Sequence, residues 1–149
     1  MHQIRTESME DTMRLGEKLA LLLKKGDVIT LEGELGAGKT TFTKGVARGL
    51  GIVQTLSSPT FTIIKEYKGD LPLYHMDAYR LEHSEEDLGF DEYFSGDGVS
   101  VVEWAQFIEE FLPKERLDVK IEYLNEHQRL FTLSPQGMHF EVVAAELQL

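Results

Sequence analysis

Gly33-Glu34-Leu35-Gly36-Ala37-Gly38-Lys39-Thr40 fits the pattern G-x-x-x-x-G-K-[ST] at every fixed position. A loop that wraps a phosphate must turn its backbone N–H groups inward. That requires positive φ at some positions and no side chains in the way, hence glycine. Glu34, Leu35, Gly36, Ala37 and Gly38 are therefore the expected cradle. Lys39 can reach the β- and γ-phosphates of a nucleotide, and the Thr40 hydroxyl is placed to ligate Mg²⁺. At average residue frequencies the pattern arises by chance in roughly half a percent of chains of this length. The flanks make chance less plausible still. Val28 to Leu31 is a short apolar run that reads as a buried strand, and Lys39 to Leu50 reads as a helix with Phe42, Val46 and Leu50 on one face. Strand, Gly-rich turn, helix is the opening of an α/β nucleotide-binding domain, and the helix start adds its free N–H groups and positive dipole end to the anion site.

The remaining segments extend this picture outward. Ser8 to Lys25 reads as an amphipathic helix, with Leu15, Leu19, Leu22 and Leu23 at three- and four-residue steps and Gly26 as its stop. Phe61 to Tyr67 and Leu73 to Met76 read as strands joined by a Lys68-Gly69-Asp70 turn. Asp77 to Gly98 is polar and acidic, with short helices expected around Glu85 to Leu88 and Asp91 to Phe94. Val99 to Val102 is a second buried strand, followed by a helix from Ala105 to Leu112 that stops at Pro113. Leu117 to Leu124, Arg129 to Leu133 and Met138 to Val143 read as a meander. The expected fold is one α/β domain over residues 1–149, a P-loop NTPase of three α/β/α layers, its mixed sheet extended by C-terminal antiparallel strands.

Composition narrows the partners. The 149 residues suit one core, and no apolar run approaches the roughly 18 residues that span a bilayer. Met1 to Glu10 is polar and acidic, unlike a secretory signal, and the absence of cysteine removes disulfides and thiolate chemistry, so a cytoplasmic location is expected. Acids outnumber bases 26 to 15, for a net charge of −11. A chain that grips DNA or tRNA by itself needs cations to replace phosphate counterions. If this one serves RNA, a partner carries the RNA. No Asn-Lys pair is present to begin the N-K-x-D motif that reads guanine, so ATP is favoured over GTP.

Hydrolysis needs more than a cradle: a second acid for Mg²⁺ and a group that orients water. Glu103 closes the strand Val99 to Val102, and Asp77 closes Leu73 to Met76. Glu103 is assigned to the metal and Asp77 to the water, although the residues alone allow the reverse. His75 and Asp77 share a strand face, but two ligands with no patterned third do not make a zinc site. Ser57-Ser58-Pro59-Thr60 lies where switch loops sit in many such NTPases, and reads equally well as a polar turn. Trp104, beside an acid at a strand end, reads first as core, with a nucleotide-sensing residue as the alternative. Arg80 is a further candidate for the γ-phosphate.

Gly33 to Thr41 (GELGAGKTT), Ser58 to Phe61 (SPTF), His75 to Leu81 (HMDAYRL) and Val102 to Trp104 (VEW), in this order and spacing, resemble the TsaE family. The resemblance runs from the N-terminal helix to about Phe111. It implies a bacterial cytoplasmic ATPase that works with the TsaB and TsaD proteins in making threonylcarbamoyladenosine beside the tRNA anticodon, meeting tRNA only through that complex. By motif it implies that Lys39, Thr40 and Thr41 bind phosphates and Mg²⁺, that Glu103 is the metal acid and Asp77 the catalytic one, that Thr60 belongs to a switch-like loop, and that Trp104 lies near the nucleotide. Two other readings of the same residues are a small-molecule kinase and an ATP-sensing module that does not hydrolyse. A kinase lid usually carries Arg, and Arg80 is the only Arg between Asp77 and Gly98.

Overall fold

Among the described residues seven strands form one mixed sheet: His2–Thr6 (β1), Val28–Glu32 (β2), Ile64–Tyr67 (β3), Leu73–Asp77 (β4), Val99–Glu103 (β5), Arg116–Tyr123 (β6) and Arg129–Gln136 (β7). The computed structural model describes residues 1–34, 36–56, 64–82 and 88–148. The strand order is β1-β7-β6-β2-β5-β4-β3. β2 runs parallel to both neighbours, β5 and β6, and β4 runs parallel to β5. The outer pairs, β3 with β4, β6 with β7 and β1 with β7, are antiparallel. The expected α/β fold with a mixed sheet and C-terminal antiparallel strands is what the chain adopts.

Residue alternation divides the core in two, because successive strand residues point to opposite faces. Ile29, Leu31, Val99 and Val101 pack with helices Met9–Ala20 (α1), Lys39–Gly49 (α2) and Met138–Leu147 (α4). Val28, Met76 and Val102 pack with helix Phe90–Phe94 (α3) and with the 3₁₀ turns Tyr79–Leu81 and Ala105–Phe111. α1 lies directly on α2. A Cβ built on Gly45 would sit 2.1 Å from the Met13 carbonyl oxygen, so the two backbones touch and only glycine fits. This contact fixes α1, and with it Met9 and Thr12, beside the start of α2.

Two expectations are corrected, and one strand had no sequence signal. Met138 to Val143 is the start of helix α4, not a strand. The Val142-Val143 pair suggested β structure, yet Phe140, Val143, Ala144 and Leu147 are buried at helical spacing while Val142 is 51% exposed. β1 was concealed in a polar N-terminus. It is an edge strand whose pairing with β7, not its own apolarity, holds it. α1 stops at Ala20 rather than Lys25, and the following turn is held by the Asp27 carboxylate accepting from the Lys24 amide at 2.9 Å. The helix expected near Glu85 and the first residues of the strand expected from Phe61 lie outside the described residues.

Candidate active site

The order β2, Gly-rich loop, α2 is as read from the motif. β2 ends at Glu32 and α2 begins at Lys39. Gly36 and Gly38 hold φ of 82° and 110°, where a side chain is strained. Gly38 caps α2 and offers no side chain to its first amides, so the N-terminal positive end is left for another acceptor. Glu34 is exposed at the outer edge of the loop. Leu35 lies outside the described residues, as does the expected switch-like segment with Ser58 and Thr60.

The sheet order brings the two candidate acids together. β4 and β5 are parallel neighbours, and their register sets Asp77 directly opposite Glu103. Both side chains leave the sheet on the α1–α2 face, since each is an even step from Leu73 or Val101. Asp77 Oδ1 accepts from the Tyr79 amide at 2.9 Å, which closes the turn after β4. Glu103 is held from two sides. Its Oε1 lies 3.4 Å from Lys39 Nζ, and its Oε2 lies 2.7 Å from His75 Nε2.

His75 is 2% exposed and sits opposite Val101, so it reaches Glu103 on the diagonal of the ladder. An ionised carboxylate only accepts, so Nε2 is the donor. Nδ1 is buried with no partner. The sequence offered His75 and Asp77 as a weak metal pair. Across the strands, His75 is instead the partner of Glu103. Among the described residues no group of three or more His, Asp or Glu is arranged to hold a metal by itself.

Burial pushes the Glu103 carboxyl up, but the hydrogen bond and charge of His75 and then the charge of Lys39 outweigh it and hold it below the ordinary carboxylate value. A lowered folded-state pKa means that ionised Glu103 adds stability above the unfolded-state value, and that this is lost as pH falls through the lowered one. The Glu103→Gln variant lacks this contribution. Urea unfolding across the acid range is expected to show wild type gaining stability over the variant as pH rises through that window, with a constant difference above it. A difference that stayed flat through the window would contradict the lowered pKa.

Trp104 is not core. It is 36% exposed and is the one described non-glycine residue in the left-handed region, at φ 57°. Such a conformation costs about 1–3 kcal/mol and persists where the surroundings over-determine it. Here the indole stacks on Phe107 with centroids 5.7 Å apart, meets Tyr79 edge-on at 5.1 Å, and lies 5.6 Å from Lys39 Nζ. Trp104 therefore lies beside Lys39 at the surface rather than in the core.

A cavity of about 470 Å³ opens over these groups. Lys39, Thr40, Thr41, Asp77, Glu103 and Trp104 are among its lining residues, all expected from sequence. Met9, Thr12, His127 and Arg129 also line it, and none of these was expected. Thr12 is buried, its hydroxyl 2.7 Å from that of Thr6. No local pattern marks them; they arrive through the α1–α2 contact and the β6–β7 hairpin. Arg80 is exposed on the turn after β4 and is not among the lining residues. A second cavity, of about 600 Å³, shares Lys39 and Trp104 and carries Glu32, Glu34 and Glu122.

The set can neutralise a polyanion with Lys39 and the α2 start, while Thr40, Glu103 and Asp77 offer oxygen donors alongside. The family model described as "Threonylcarbamoyl adenosine biosynthesis protein TsaE" matches residues 6–131. A Bacillus subtilis protein named tRNA threonylcarbamoyladenosine biosynthesis protein TsaE is 56% identical over 144 residues, covering 96% of this chain and 91% of its own. A Treponema pallidum protein of the same name is 42% identical over 131 residues, with 87% and 97% covered. The solved structure described as that of Bacillus subtilus YdiB superposes with a TM-score of 0.85 at 49% identity, over 99% of this chain and 93% of that one. Matched by the family model over most of its length, and by these relatives in sequence and in fold, the chain belongs to the TsaE family.

Proposed function

We propose that this protein is a Mg²⁺-dependent P-loop ATPase of tRNA threonylcarbamoyladenosine biosynthesis, acting in the cytoplasm with the TsaB and TsaD proteins. One observation carries the catalytic reading. Lys39, at the end of the Gly-rich loop, shares Glu103 with buried His75, and Asp77 stands in register beside it. The names of the relatives support the pathway. The partners follow from the family resemblance, and the charge of −11 supports a subunit that leaves RNA binding to others.

The donor set suits Mg²⁺, a hard cation that takes one or two carboxylates and completes its shell with substrate phosphates and water. Thr40 and Glu103 would hold it, and it would neutralise charge on the β- and γ-phosphates. Lys39 moves its ammonium from Glu103 Oε1 to the phosphates as they enter. That frees one Glu103 oxygen while His75 retains the other. Asp77 would orient the attacking water and accept its proton as the new bond to the γ-phosphorus forms and the bond from that phosphorus to the β,γ-bridging oxygen breaks, ADP leaving with the electron pair. Trp104 flanks Lys39 and limits water at the phosphate end.

The test is calorimetric titration of the purified protein with ATP in magnesium buffer, paired with thermal melting. Expected are binding heat, a raised melting temperature and weaker binding when magnesium is chelated. Phosphate release should be slow alone and rise when TsaB and TsaD are added. Absence of both heat and melting shift would end the proposal.

A further inference from the structure

Arg129 stands at the start of β7, 93 residues from Gly36, and carries no part of the reading above. Its guanidinium nonetheless grips the Gly-rich loop. Nε donates to the Ala37 carbonyl at 2.9 Å and Nη2 to the Gly36 carbonyl at 3.3 Å. Nη1 donates to the carbonyls of Asn125 at 2.5 Å and Gln128 at 2.9 Å, both in the β6–β7 turn. The plane lies 4.6 Å from the centroid of Tyr123, and its stem packs 3.9 Å from where a Cβ on Gly38 would stand. All four of these acceptors are main-chain carbonyls, in a chain where acids outnumber bases.

The chemistry of a phosphate loop explains why a cation belongs there. Peptides that turn their N–H groups toward an anion turn their carbonyls away from it. Those outward carbonyls have no helix or strand partner, and an unpaired polar group is costly when shielded from water. A planar fork with several fixed donors can take two successive carbonyls at once, which a lysine ammonium cannot do with the same geometry.

We propose that Arg129 is a positioning residue that fixes the Gly-rich loop in its phosphate-accepting shape by holding its carbonyl side, tying it to the C-terminal hairpin. The proposal rests on the nucleotide reading for its consequence, though not for the clamp itself. Arg129 acts through Gly36 and Ala37: it holds the loop ready before ligand arrives, so binding need not order it. Losing the clamp weakens nucleotide binding and raises KM more than it lowers kcat.

The test uses the full chain with Arg129→Ala and Arg129→Lys, the latter keeping charge and stem. Amide exchange of residues 36–41 is measured without nucleotide, and Mg·ATP affinity is measured by calorimetry. Expected in both variants are faster loop exchange and affinity lower by about tenfold or more, the scale of losing hydrogen bonds to a charged group. Melting temperatures show that each variant is folded. If Arg129→Lys restores wild-type affinity, charge alone suffices and the clamp is overturned. Unchanged loop exchange in Arg129→Ala also overturns it. Should wild type itself fail to bind Mg·ATP, the nucleotide reading falls, while the exchange data still decide the clamp.

Discussion

Lys39→Ala is expected to take ATP binding below detection in a titration where wild type gives a clear isotherm. The ammonium belongs to the first residue of α2 and lies 3.4 Å from Glu103. Removing it does two things. It deletes the charge that would meet the β- and γ-phosphates, and it leaves the Glu103 carboxylate, with only His75 beside it, facing an incoming polyanion. A hydrogen bond to a charged group is worth about 1.5–3 kcal/mol, Lys39 would make one to each of two phosphates, and each 1.4 kcal/mol is tenfold in affinity. A loss of at least about a hundredfold follows. The variant should stay folded, because α2 is held by Phe42, Val46 and its backbone contact with α1 rather than by Lys39. Binding within about threefold of wild type would remove Lys39 from the phosphate site.

Asp77→Ala separates binding from chemistry. The carboxylate sits at the end of β4 opposite Glu103 and accepts a local hydrogen bond from the Tyr79 amide. It is not needed to hold Lys39 or Glu103, so Mg·ATP affinity should stay within a few-fold of wild type. Phosphate release with TsaB and TsaD present should fall by about 10²–10⁴, the contribution of a positioned general base. The decisive comparison is a single-turnover assay at saturating ATP, which reads the chemical step without product release. Full turnover would exchange the roles of the two acids, or dismiss Asp77 from the reaction.

Several parts of the site could be read locally. The Gly-rich loop, Lys39 and Thr40 are contiguous, and their geometry follows from glycine conformations and a helix start. Asp77 and Glu103 could be named because each closes an apolar strand, and strand ends beside such a loop are where a metal acid sits. Helix α4 could not. Val142 and Val143 suit a strand by propensity, and only the packing of Phe140, Ala144 and Leu147 against the sheet decides for helix. β1 is legible only once β7 exists to pair with it.

The chain by itself determined the Gly-rich loop, the two strand-end acids and the α/β class, because these depend on residues within one strand, one turn or one helix. Tertiary structure alone decided which groups meet. The parallel register of β4 and β5 put His75 on Glu103, and the β6–β7 hairpin carried Arg129 back to Gly36 and Ala37. Hydrogen bonds reach about 3 Å, while these partners are 28 and more than 90 residues apart along the chain. Only the strand order of the folded sheet brings such distances within that reach.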